Sequence, residues 1–195
     1  MKRGTLLLAA GASSRMRGRD KLLEKVNGVP LLRVMAKRAI SCSDSVFVTL
    51  PNDYRSRRDV LSGLDIVIVD VAKSSLGMSE SIKCGIKAAQ ACDAVMILPA
   101  DMPEITAEDM IQLWRATEQS AAQQIIRATS ENGKAGHPVI FRRNHFDELV
   151  QLEGDSGAKA VVERHGFLPV ALDAAHALTD LDTPEDWENW RRNPD

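Results

Sequence analysis

The chain has 195 residues, 44% of them hydrophobic and 27% charged, with a formal net charge of −2. That length fits one domain and buries about 70% of the unfolded surface, enough for a core without staples. The charge balance argues against a nucleic-acid or membrane-surface protein, and no apolar run approaches the roughly 20 residues of a membrane span.

The N-terminus superficially suggests a secretion signal, but Arg15 to Lys21 follow where a small-residue cleavage region belongs. Leu6 to Ala10 therefore reads as a first strand buried on both faces, and a cytoplasmic protein is expected. The run breaks at Gly11 into small and hydroxylated residues, then Arg15, Arg17, Arg19 and Lys21. A buried strand running into a cation-rich loop of small residues suits a polyphosphate: backbone N–H groups donate and the side chains permit close approach.

Pro30 to Ile40 has proline at a helix start, with Leu31, Val34 or Met35, and Ile40 on one stripe. Ser45 to Leu50 is a β-branched strand ended by Pro51-Asn52. A polar helix over about 53–62 leads to a third strand at Ile66–Val69. Leu76 to Ser79 opens a helix through about Ala91, and Ala94 to Leu98 is a fourth buried strand, ending in Pro99-Ala-Asp-Met-Pro103. Thr106 is a good N-cap for a helix to about Ala121, followed by a strand at Gln124–Ala128. Pro138–Phe141 and Leu168–Leu172 read as strands, 143–152 and 157–165 as short helices. Thr183-Pro184-Glu-Asp opens the last helix with cap, proline and first-turn acids together.

Short strands alternating with helices of 10–16 residues give an α/β fold: a single domain over residues 1–195 with a mainly parallel, Rossmann-like sheet. Ligands of open α/β sheets bind at the carboxyl ends of the strands. Gly11–Lys21 and Pro99–Pro103 both follow strands, which puts them on that one edge.

Charge is distributed unevenly. Residues 1–30 carry seven Lys/Arg against two acids, whereas residues 147–195 carry twelve acids against four Lys/Arg. The basic front suits a local anion site; the acidic back reads as a solvated face. Cys42, Cys84 and Cys92 match no zinc or redox spacing and read as small buried hydrophobes.

The first loop lacks both G-x-x-x-x-G-K-[ST] and G-x-G-x-x-G, which excludes a P-loop and disfavours a nicotinamide-dependent oxidoreductase. Asp101, held between prolines at a strand end and facing a phosphate loop, is placed to hold Mg²⁺, which takes one or two carboxylates plus phosphates and water. Asp180 and Asp182 would point the same way if extended, giving a second candidate ligand. A turn or cap role is the alternative for each.

Together these residues resemble the molybdenum-cofactor nucleotidyltransferases, most closely the cytidylyltransferases of that family. The resemblance rests on Leu8-Ala-Ala-Gly-Ala-Ser-Ser-Arg-Met16 with Asp20-Lys21, Pro99-Ala-Asp-Met-Pro103, Gly136-His-Pro138, Gly154-Asp-Ser-Gly157 and Asp180-Leu-Asp-Thr-Pro-Glu-Asp186. It implies a three-layer domain of the nucleotide-diphospho-sugar transferase type. By resemblance, Leu8, Ala9, Ala10, Gly11, Ala12, Ser13 and Ser14 would wrap the nucleotide, with Ser79 and Ser81 close by. Arg15 and Lys21 would neutralise phosphates, Asp101 and Asp182 would hold the metal, and His137, Asp155 and Lys159 would meet the pterin. Relatives using GTP usually have glycine where this chain has Ala10, which leans toward CTP. Transient contact with a molybdenum enzyme or its chaperone is also implied. Two departures stand out: one extra residue between Met16 and Asp20, and Lys159 in place of the family's frequent arginine, which keeps charge but loses bidentate binding.

The implied reaction is attack by the terminal phosphate of molybdopterin on the α-phosphorus of CTP, releasing pyrophosphate. Such a phosphate is largely dianionic near pH 7 and requires no general base. GTP on molybdopterin and CTP on a sugar or polyol phosphate are same-fold alternatives; a non-catalytic pterin carrier is a different class. His145, His165 and His176 lie in no motif and read as surface residues.

Overall fold

Residues 1–120, 122, 124–154 and 157–192 are described by the computed structural model. The long strands are β1 (Arg3–Leu8), β4 (Ser45–Pro51), β5 (Val67–Val71), β6 (Ala94–Pro99), β7 (Ile125–Thr129), β8 (Ala135–Arg142) and β9 (Leu168–Ala171). They form one seven-stranded sheet ordered β5-β4-β1-β6-β8-β7-β9. β1 lies between β4 and β6, parallel to both. β8 inserts antiparallel between β6 and β7, so β7 does not continue the parallel run beside β6.

Side chains that alternate along a strand supply two separate cores. Leu7, Val48, Met96, Leu98 and Ile140 face one side. There they pack on α1 (Leu31–Cys42), α2 (Arg55–Leu61), α4 (Ala107–Gln119) and α7 (Pro184–Arg192). Leu6, Phe47, Val95, Ile97 and Phe141 face the other, against α3 (Met78–Ala88), α5 (Phe146–Leu149) and α6 (Lys159–His165). Burying each such side chain contributes about 1.5–3 kcal/mol. Helices on both faces explain why β1 and β6 read as unbroken apolar runs.

Two helix starts match their sequence signals. Thr106 and Asp109 form a reciprocal capping box on α4. At α7 the Asp186 N–H donates to Thr183 Oγ1 at 3.1 Å, and the Thr183 N–H donates back to Asp186 at 2.8 Å. A small hairpin, β2 (Lys25–Val26) and β3 (Val29–Pro30), turns at Asn27-Gly28 with both φ values positive, 50° and 82°. It absorbs Pro30, so α1 begins at Leu31.

The histidines divide differently from the expectation of surface residues. Only His165 is exposed, His176 is half-buried against Asp109, and His145 is buried where β8 ends. Burial follows because Phe141, Phe146 and Leu149 pack around that turn. Cys42 and Cys92 are buried and Cys84 is half-buried.

Candidate active site

β1 and β6 run side by side and end together, which brings Leu8–Gly11 next to Pro99–Asp101. The Ala100 N–H donates to the Leu8 carbonyl at 3.1 Å, and the Leu181 N–H to the Asp101 carbonyl at 3.1 Å. Two chain segments far apart in sequence thus share one edge with Asp101. Asp182 follows directly, its N–H directed to Asp186 at the start of α7 at 3.2 Å.

A cavity of about 340 Å³ opens there, lined by Leu8, Ala9, Ala10, Gly11, Lys21, Ser81 and Asp101, together with Ser74, Gly77 and Met78. α3 starts at its wall, where Gly77 and Met78 line it. Among the described residues no side chain caps that start, so its free N–H groups and dipole favour an anion.

Lys21 binds both acids: its ammonium is hydrogen-bonded to Asp101 and, at 2.7 Å, to Asp182 Oδ1. Burial by itself would lower the Lys21 pKa, but the Asp101 and Asp182 carboxylates outweigh it and hold the group above its ordinary 10.5. Arg15 reaches Asp182 Oδ2 at 2.8 Å. The Asp180 carboxyl is pushed above its ordinary value by burial and then by the charges of Asp182 and Asp101. Asp101 Oδ1 is buried without a hydrogen-bond partner. Clustered oxygen donors with one oxygen unpaired fit a hard divalent cation, and the group most exposed to its effect would be Lys21.

The extra residue of the first loop is taken up locally. Arg17 and Gly18 both adopt positive φ, 53° and 87°, a turn that leaves Asp20 and Lys21 pointing inward.

Not every expected residue lines this cavity. Ala12, Ser13 and Ser14 border a separate depression with Asp20 and Tyr54. The Ser79 hydroxyl donates to the Gly154 carbonyl and is buried, so it ties the first turn of α3 to the loop at Gly154. His137 and Lys159 lie in a neighbouring cavity of about 90 Å³, which shares Met78 with the first and includes Arg127. Burial and then the Arg127 charge lower the His137 pKa to about 4. Asp155 lies outside the described residues.

Arg57 had no motif to announce it. Fully buried, it donates to the Ala9 carbonyl at 2.6 Å, to Asp20 at 2.6 and 2.9 Å, and to Ser13 at 3.1 Å. Tyr54 stacks on it at 4.4 Å. Nor is the acidic back wholly a solvated face: Asp182 pairs with Arg15, and Glu185 with Arg17 at 2.6 Å.

A mainly parallel α/β sheet with helices on both faces, a strand-end carboxylate and a cation-bearing loop at one edge has the fold of nucleotidyltransferases of the nucleotide-diphospho-sugar type. The chain belongs to the MobA-like NTP transferase domain family, which matches residues 5–170. A probable molybdenum cofactor guanylyltransferase of Nostoc sp. is 28% identical, the match covering 93% of this chain and 86% of the relative. The molybdenum cofactor cytidylyltransferase of Escherichia coli is 23% identical, over 93% and 92%. Among solved structures, Rv0371c of Mycobacterium tuberculosis superimposes with a TM-score of 0.83 at 24% identity, covering 99% of this chain and 100% of that one. A second structure of that protein, in complex with manganese, gives 0.74 at 24%, covering 97% of each. No helix among the described residues is long and apolar enough to cross a membrane.

Proposed function

We propose that this chain transfers a nucleotidyl group from a nucleoside triphosphate to the terminal phosphate of molybdopterin, releasing pyrophosphate, and that CTP is its preferred nucleotide. The unpartnered, buried Asp101 Oδ1, beside the Leu8–Gly11 loop and Lys21, carries the reading. The names of the curated relatives support the pterin acceptor.

In this reading the triphosphate lies along the Ala9–Gly11 backbone and the N-terminus of α3. Lys21 leaves its carboxylates for the phosphates, and Arg15, largely exposed, closes over them. Asp101 and Asp182 would hold Mg²⁺, which would supply charge neutralisation for the phosphates. The acceptor sits toward His137 and Lys159. At pH 7 His137 is neutral, and its buried, unpartnered Nδ1 is free to hydrogen-bond the acceptor without adding charge. The acceptor phosphate attacks in its dianionic form, one P–O bond forming at the α-phosphorus as the bond to pyrophosphate breaks. The protein supplies position and charge rather than a base.

Ala10, which lines the cavity beside Gly11, supports CTP because relatives that use GTP usually carry glycine at that position. GTP is the second reading, favoured by the guanylyltransferase names of several relatives. The test is pyrophosphate release from purified protein, Mg²⁺ and molybdopterin, with CTP, GTP and ATP side by side. Fastest release with CTP is expected; release with GTP alone overturns the base assignment. A sugar or polyol phosphate that replaces molybdopterin at equal rate overturns the acceptor. A pterin carrier predicts no thermal stabilisation by any triphosphate, whereas a bound nucleotide at a hundredfold excess over Kd stabilises by about 2.7 kcal/mol.

A further inference from the structure

A second cluster of metal-ligating side chains lies at the other edge of the sheet. β8 runs antiparallel to β6 with Arg142 beside Ala94 and Val139 beside Ile97. His145, just beyond Arg142, therefore sits past the start of β6, whereas Asp101 lies past its end. Glu148 follows three residues later on α5, one helical turn away. His165 ends α6, which packs beside them.

The ligand atoms of His145, Glu148 and His165 all lie within 4.8 Å of one another. His165 Nε2 is 2.7 Å from Glu148 Oε1, and His145 Nδ1 is 4.0 Å from the same oxygen. The two imidazoles stand 4.5 Å apart, centre to centre. The other carboxylate oxygen, Glu148 Oε2, accepts from Arg164 at 2.6 Å.

His145 by itself points to a ligand. Its side chain is 7% exposed, and both of its ring nitrogens are buried without a hydrogen-bond partner. An imidazole always carries at least one N–H or lone pair that burial leaves costly when unmet. A purely structural turn would place an apolar residue there. A ligand atom facing two others is a better account.

We propose that His145, Glu148 and His165 form a site for a borderline transition-metal ion of the zinc type, separate from the nucleotide edge. Two imidazoles and one carboxylate suit Zn²⁺, Co²⁺ or Ni²⁺ and are wrong for Mg²⁺, which demands oxygen. Small side-chain rotations let ligand atoms that lie within 4.8 Å of one another surround one ion at the roughly 2.0–2.2 Å metal–ligand distance that zinc requires. Arg164 on Glu148 Oε2 then orients the ligating carboxylate, as outer-shell partners do. Three protein ligands leave a position for water. The site joins the end of β8 to the last residue of α6, and α6 begins at Lys159 beside the His137 cavity. Metal at His165 would thus fix the helix that carries Lys159.

The test is titration of the tag-free full-length chain with Co²⁺, followed by its visible absorption, without nucleotide. One equivalent giving bands of a low-symmetry nitrogen–oxygen site is expected, retained in Asp101→Ala and in Cys84→Ser. His165→Gln, at an exposed position that leaves the core intact, is expected to weaken binding at least about tenfold, the lower end of what losing even an outer-shell partner costs. Zn²⁺ is expected to raise the thermal midpoint of the parent chain and not of His165→Gln. Absence of Co²⁺ binding, its loss in Asp101→Ala or Cys84→Ser, or an unchanged affinity in His165→Gln overturns the proposal.

Discussion

Arg57 and Lys21 are both cations that answer buried carboxylates, yet they have opposite uses. Arg57 is a fixture: its planar fork engages Asp20 with two nitrogens and a third contact holds the Ala9 carbonyl, so the first loop has one shape. Replacing it by methionine leaves Asp20 without its counter-charge, and breaking such a pair costs about 3–5 kcal/mol. Urea unfolding of Arg57→Met is expected to show that loss, and Arg57→Lys to recover only part of it, since lysine cannot form the bidentate pair. Full recovery with lysine would mean that charge alone matters. Lys21 pairs with both Asp101 and Asp182, and in the proposed reaction it is the movable charge, because a cation between those carboxylates would compete with it. Lys21→Met is therefore expected to bind Mn²⁺ more tightly than the parent, by calorimetry, while pyrophosphate release falls about 10²–10³-fold, as when one preorganised charge-stabilising donor is removed. Weaker Mn²⁺ binding in that variant would remove Lys21 from the metal's position.

At the scale of elements, the site depends on how closely β8 approaches the segment that carries Asp180 and Asp182. The His137 N–H donates to the Ala177 carbonyl at 2.9 Å, and a Cβ on Gly136 would stand 1.9 Å from that same carbonyl oxygen. A backbone atom cannot swing aside as a side-chain tip can. Gly136→Ala is expected to destabilise by more than the roughly 1–3 kcal/mol of ordinary overpacking and to weaken Mn²⁺ binding, because Asp182 moves with the strap. Gly85→Ala is the comparison: its Cβ would meet the Leu6 side chain instead, so the stability cost should come without the metal effect. Equal metal affinities in the two variants would show that the strap does not position Asp182. These close approaches were invisible in the sequence, whereas the elements themselves were legible. Leu6–Ala10 and Ala94–Leu98 are apolar on both faces because helices cover both. The two Thr-x-x-Asp boxes marked α4 and α7. Asp101, Lys21 and Ala10 could be found from local order, since each stands directly beyond an apolar strand or inside a motif. Arg57 could not: it sits in Arg55-Ser-Arg-Arg58, and nothing in that spacing says which arginine turns inward toward Asp20, 37 residues away. His145 was hidden likewise, because its burial comes from Phe141, Phe146 and Leu149 closing around a turn.

For the molecule as a whole, the basic first thirty residues and the acidic C-terminal stretch turn out to face each other, through Arg15–Asp182, Arg17–Glu185 and Arg191–Glu24. Pairs this exposed contribute only about 0–1 kcal/mol each, so they set where α7 lies more than how stable the fold is. Stability against acid rests on buried imidazoles. His137 titrates at about 4 in the fold, against an ordinary 6.5, because of burial and then the Arg127 charge. His145 is lowered in the same sense, by burial and then by His165. A folded-state pKa below the unfolded one means that, between the two, the unfolded chain binds the proton and the folded chain does not. The stabilisation from His137 is thus fully present above about pH 6.5 and is lost progressively as pH falls toward about 4. At 1.36 kcal/mol per pH unit, about 2 kcal/mol is lost between pH 6.5 and 5. Asp44 and Asp186, held below their ordinary 3.8 mainly by hydrogen bonds, lose their contribution only at lower pH. Urea unfolding at pH 7 and pH 5 should show the parent losing about 2 kcal/mol more than His137→Gln. The same pH dependence in both chains would mean that His137 is not the neutral, desolvated ring on which its proposed contact with the acceptor depends.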